Sequence, residues 1–167
     1  MINPKEIKNK IITKNNLYCL CVILIIFFLD RYTKLLILDN FSENTYYLND
    51  YINLDLIWNK GIGFGLFNLD GGLLYHLVSL LIFIIMVVII YLIFSSKKID
   101  KFFYSIVFGG ALGNFYDRVT FFAVPDFIDL HYYDFHWFTF NIADIFISLG
   151  IILLILREII FIKNEKN

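Results

Sequence analysis

The run Leu73–Phe94 carries no charged residue. A helix crossing the hydrocarbon layer of a membrane needs about 20 mostly apolar residues, and this run meets that length. The rest of the chain fits the same solvent. Hydrophobic residues make up 59% and charged residues 17%, against about 45–50% and about 25% in soluble domains. The 14 Lys and Arg nearly balance the 15 Asp and Glu, so the basic excess of a nucleic-acid binder is missing. A disordered chain and a disulfide scaffold are excluded as well. Cys19 and Cys21 lie two apart in an apolar helical run and point to nearly opposite faces, so they read as small membrane hydrophobes.

Three further segments approach spanning length: 17–38, 102–116 and 142–162. The first follows Lys5, Lys8, Lys10 and Lys14 and ends in Asp30-Arg31 without a small-residue cleavage site, which makes it an uncleaved first span. Four spans place both termini on one side. The two tails and the turn 95–101 then hold ten of the fourteen basic residues and four of the fifteen acids. Basic residues mark the cytoplasmic side, so the termini are expected there and the acidic face outside. The expected fold is an all-α membrane protein, a single domain over 1–167 with four transmembrane helices and a small β region outside the cytoplasm. That β region is read from Tyr51–Trp58, where Ile52, Leu54, Leu56 and Trp58 alternate with polar positions. The aromatic stretch 119–139 suits a membrane–water boundary.

The polar residues near the spans gather at one end. Asp30, Arg31 and Lys34 mark the first span, Asn114, Asp117 and Arg118 the third, and Asn141 and Asp144 the fourth, with Asp126 in the second outer segment. Charge at membrane depth is costly and invites a functional reading. Each residue also has a structural one. Asp30 and Lys34 have the i,i+4 spacing of an ion pair. Arg118 stays protonated and suits holding a carboxylate or phosphate. Asn141 with Asp144 three residues on resembles a capping box. Pro125 keeps Val124 extended and fixes the approach to Asp126. Gly109 and Gly113, with Gly110 and Ala111 between them, let another helix come close.

Weaker constellations remain. His131 and His136 could join Asp126 and Asp129 around a metal, but the spacing matches no common zinc pattern. No serine neighbours both a base and an oxyanion motif, which disfavours serine catalysis. A transporter would want ionisable groups near the midplane. A lipid-modifying enzyme would use Arg118 and Lys34 on a head-group phosphate.

Five boxes resemble the lipoprotein signal peptidase, or signal peptidase II, family. Asp30-Arg31-Tyr32-Thr33-Lys34 is similar to its Asp-x-x-Thr/Ser-Lys box. Asn59-Lys60-Gly61-Ile62-Gly63-Phe64 is similar to Asn-x-Gly-Ala-Ala-Phe, departing at Ile62-Gly63. The stretch Gly109–Arg118 matches Gly-Gly-Ala-x-Gly-Asn-x-x-Asp-Arg. Val124-Pro125-Asp126-Phe127 and Phe140-Asn141-Ile142-Ala143-Asp144 fit the two aspartate boxes, with Pro125 a less usual residue. The boxes run in the family's order.

The resemblance implies an aspartic endopeptidase of the bacterial cytoplasmic membrane, working at its outer face. It removes signal peptides from diacylglyceryl-modified prolipoproteins, cutting before the lipidated cysteine. Asp126 and Asp144 would be the catalytic pair. Asn59, Asn114, Arg118 and Asn141 would position substrate or orient the acids, and Asp30 and Lys34 would brace the site or touch substrate. No metal or organic cofactor is implied. The partners expected are lipidated precursors and membrane lipid, with no nucleic acid and a monomeric enzyme.

Overall fold

Apolar helical runs and period-two aromatic stretches alternate along the chain, and the described residues form four long helices and one small sheet. The computed structural model describes residues 13–41, 45–61 and 72–165. The helices are α1 (Lys14–Asn40), α2 (Leu73–Ser95), α3 (Lys98–Phe121) and α4 (Ile142–Glu165). Strands β1 (Tyr46–Asn49) and β2 (Ile52–Asn59) lie between α1 and α2, and β3 (Val124–Tyr132) and β4 (Phe135–Phe140) lie between α3 and α4. The sheet is antiparallel in the order β1-β2-β3-β4.

A helix stands at each of the four expected places, and two of them, Leu73–Ser95 and Ile142–Ile162, are long and apolar enough to cross a membrane. Most of α2 is exposed, including Leu77, Leu80, Leu81, Ile84, Val87 and Val88. A core helix of a water-soluble protein would bury such a face.

Two elements reach beyond the residues from which they were read. The third span was read to about residue 116, and α3 runs on to Phe121 with Asp117 and Arg118 on its last turns. The expected small β region is present, and besides the strand read at 51–58 the aromatic stretch that follows α3 forms β3 and β4. Its hairpin turn, Tyr133-Asp134, lacks the usual glycine and holds Tyr133 at φ 52°, so the common turn signal was missing.

Helix α3 is the hub and packs against α1, α2 and α4. Small residues let the backbones meet. A Cβ on Gly110 would come within 2.5 Å of the Ala143 carbonyl oxygen on α4, and one on Gly113 would strike the Asp30 carboxylate on α1. Cys19, Met86, Ile89, Ile93, Val107 and Phe108 form an apolar core. Both cysteines are free, Cys19 buried and Cys21 exposed.

At the other end an ionic cluster joins α1 to α3. Lys34 is 1% exposed and Asp30 and Asp117 are fully buried. The Lys34 ammonium donates to Asp30 Oδ2 (2.9 Å), Asp117 Oδ2 (2.7 Å) and Asn114 Oδ1 (2.8 Å). Arg31 pairs with Asp117 (2.5 Å) and Asp30 (3.2 Å). Two acids thus meet two cations. The expected Asp30–Lys34 pair is present, and Arg31 is the member that the sequence left without a role.

Removing one cation leaves a buried carboxylate uncompensated, which costs about 3–5 kcal/mol. Lys34→Met is therefore expected to lower the melting temperature in detergent by roughly 10 °C, at about 2–4 °C per kcal/mol. An unchanged melting temperature would show the cluster to be dispensable. Gly110→Ala is expected to cost about 1–3 kcal/mol by overpacking against a backbone atom. Thermal unfolding measures it, with exposed Val119→Ala as the neutral comparison.

Candidate active site

Asp126 and Asp144 reach one cavity from different elements. Helix α3 ends at Phe121 and is capped by Phe122, whose backbone is left-handed at φ 56°, and the reversal feeds the chain into β3. Asp126 is the third residue of that strand. It pairs with Ile57 on β2, and Pro125 pairs with Trp58. Pairing with β4 begins only at Ile128, so Pro125 has a strand on one side and its missing N–H breaks no ladder. Asp144 sits in the first turn of α4.

The cap of α4 is the reciprocal box that the spacing suggested. Asn141 Oδ1 accepts from the Asp144 N–H (3.1 Å), and Asp144 Oδ2 accepts from the Asn141 N–H (3.2 Å). With its oxygen so engaged, Asn141 turns its amide Nδ2 to Asp126 Oδ1 (2.5 Å). Asn59 Oδ1 accepts from Gly61 N–H (2.8 Å), and its Nδ2 donates to Asp126 Oδ2 (2.9 Å). Asn114 follows the same logic. Its oxygen takes the Lys34 proton, so its Nδ2 donates to Asp144 Oδ1 (2.8 Å). Each carboxylate thus has both oxygens held by N–H donors.

The cavity they share is about 230 Å³ and is also lined by Asn59, Ile82, Asn114, Arg118 and Ile147. Asp126 is 2% exposed. Burial, and then the charge of Asp144, push its carboxyl up to about 7, against the lowering effect of Asn59, Asn141 and Lys34.

The structure gathers Asp126, Asp144, Asn59, Asn114 and Arg118 at this cavity, and Asn141, fully buried, bonds both acids from behind it. Asp30 and Lys34 stand behind it. Asp30 Oδ1 accepts from the Ala143 N–H (3.1 Å) and so braces the first turn of α4. Among the described residues Arg118 pairs with no carboxylate; its Nη2 donates to the Gly61 carbonyl (2.5 Å). The Arg118 Nη1 is buried without a partner. The metal grouping suggested with Asp126 does not form either, since Asp129, His131 and His136 cluster without it. Ile62, Gly63 and Phe64 of the second box lie outside the described residues. Arg31 could have been found by counting charge, because two buried acids, Asp30 and Asp117, need a second cation besides Lys34.

Comparison with known proteins bears on the family and the fold. A family model described as signal peptidase (SPase) II matches residues 22–160. A lipoprotein signal peptidase of Pelagibacter ubique is 49% identical over 165 residues, covering 95% of this chain and 99% of that protein. One from Wigglesworthia glossinidia brevipalpis is 37% identical, covering 91% and 98%. A solved bacterial membrane enzyme superposes with a TM-score of 0.77 at 25% identity, over 88% of this chain and 90% of that one. Family model, relatives and fold agree that the chain belongs to the signal peptidase II family.

Proposed function

We propose that the protein is an aspartic endopeptidase that removes signal peptides from diacylglyceryl-modified prolipoproteins, cutting before the lipidated cysteine, with Asp126 and Asp144 as its catalytic pair. The observation that carries this reading is the placement of two acids on one cavity, each clamped at both oxygens by N–H donors. Two carboxylates at one site do not both ionise readily, so one keeps a proton.

Asp126, with its carboxyl raised to about 7, holds the proton and donates it to the scissile carbonyl oxygen. Asp144 is ionised and takes a proton from the attacking water. In the second step the C–N bond breaks as Asp144 gives its proton to the leaving amine and Asp126 takes a proton back from the gem-diol hydroxyl. Asn59, Asn114 and Asn141 fix the carboxylate planes, and Arg118 offers its unpartnered Nη1 to a substrate carbonyl. Asp30 and Lys34 brace the site and do not touch substrate.

The setting follows from the polar end of the bundle. All four helices span the bacterial cytoplasmic membrane, both termini are cytoplasmic, and the cavity opens near the outer surface. The signal helix and acyl chains of a lipidated precursor lie in the bilayer, which brings the bond to be cut to that depth. The protein works as a monomer.

Asp126→Asn and Asp144→Asn are each expected to abolish cleavage of a purified lipidated precursor while the protein is made at normal levels. Cleavage retained in both rejects the pair. Accumulation of altered lipid instead of uncut precursor would favour the lipid-modifying alternative.

The proton on Asp126 also sets a pH dependence. Activity is expected to fall as pH rises through about 7, because the donor is lost. The Asn59 amide lowers that value. Asn59→Ala is therefore expected to move the alkaline limb of kcat to higher pH as well as reduce its height. A pH–rate profile whose limb stays in place contradicts the assignment of the proton to Asp126.

A further inference from the structure

We propose that Asp129, His131 and His136 form a Zn2+ site on the outer sheet, separate from the Asp126–Asp144 cavity. The backbone builds it. Asp129 and His131 are two apart on β3 and share a face, opposite to that of Asp126 and Ile128. Regular pairing would set Trp137 across from His131, since Leu130 pairs with Phe138. A bulge between Leu130 and His131 sets His136 there instead. The extra residue reverses the parity of β4 and turns His136 onto the face of Asp129.

The donor atoms of the three residues lie within 4.8 Å of one another. His136 Nδ1 is 2.7 Å from Asp129 Oδ2, and His131 Nδ1 is 3.7 Å from the same oxygen. The imidazole rings stack with centroids 5.4 Å apart. Ligand atoms around tetrahedral zinc stand about 3.4 Å apart, given metal–ligand lengths near 2.0–2.1 Å. A small rotation of the exposed His136 ring closes the set, and water supplies the fourth ligand.

A second observation points to a cation. His131 is 8% exposed and Asp129 4% exposed, and His131 Nδ1 is buried without a hydrogen-bond partner. At 3.7 Å it is too far from Asp129 to bond to it. A protonated Nδ1 would leave its hydrogen unused. A bare Nδ1 would aim its lone pair at a carboxylate. A divalent cation between the two atoms satisfies both. Two imidazoles and one carboxylate suit zinc rather than magnesium or calcium, which prefer all-oxygen shells. The bound ion would tie β3 to β4, and so hold the strand that carries Asp126 at its other end. It takes no part in peptide cleavage, and the proposal does not depend on the peptidase reading.

The test uses the full chain, free of a polyhistidine tag, stripped with chelator in detergent. Titration with Zn2+ against a chromophoric chelator is expected to show one site per chain. His136→Asn and His131→Asn are each expected to weaken it at least about 10-fold. His76→Asn, which removes the chain's third histidine, is expected to leave it unchanged. Zn2+ is expected to raise the melting temperature of the wild type and of His76→Asn, and not of His136→Asn. Because the His136 ring is exposed, that variant decides the matter should His131→Asn fail to fold. Equal Zn2+ affinity in the wild type and His136→Asn, or displacement of Zn2+ by equimolar Mg2+, would overturn the site.

Discussion

One ammonium group organises this protein. Lys34 has three N–H bonds and donates them to Asp30 and Asp117, both fully buried, and to Asn114. A buried lysine is tolerable only when its charge and its donors are matched. Here the match draws on two helices at once, so α1 and α3 have one register. The small residues of α3 make that register reachable, because a side chain at position 113 would occupy the place of the Asp30 carboxylate. Asp30 in turn accepts from the backbone of Ala143 and fixes where α4 begins.

Orientation then passes outward through amides. An asparagine has one accepting end and one donating end, so fixing one end fixes the other. Lys34 can only donate, which turns the Asn114 amide toward Asp144. The helix cap engages the oxygen of Asn141, which turns its amide toward Asp126. Gly61 does the same for Asn59. The two acids belong to a strand and a helix that are joined directly only through β4 and its turn. Asn141 links them across that span.

Much of the architecture was legible because lipid imposes a coarse code. The charge-free run at 73–94 could be little else than a long helix, and the gathering of Asp30, Asn114, Asp126 and Asp144 at one end marked the site before any contact was known. The i,i+4 pair and the capping box were local patterns and appeared as read. What escaped depended on tertiary register. Arg31 finds Asp117 across two helices, and no spacing in the sequence links positions 86 residues apart. The β3–β4 hairpin was hidden by its turn, where Tyr133 takes a conformation usually left to glycine or asparagine. Arg118 was read as a holder of carboxylate or phosphate, and its contact with the Gly61 backbone carbonyl, 57 residues away, had no signal in the spacing.

That last outcome bears on how the pair can work. Asp126 has a raised carboxyl because burial and Asp144 outweigh the groups that stabilise its charge. Those groups are the neutral amides of Asn59 and Asn141 at contact distance and Lys34, whose own bonds go to Asp30, Asp117 and Asn114 rather than to Asp126. A cation placed directly on Asp126 would favour its ionised form and offset the upward push of burial and Asp144. The protein needs positive charge to bury Asp30 and Asp117, and asparagine amides, not cations, contact the oxygens of Asp126 and Asp144. Neutral donors on the acids and cations behind them are therefore one arrangement, in which structural charge holds the site in place without discharging it.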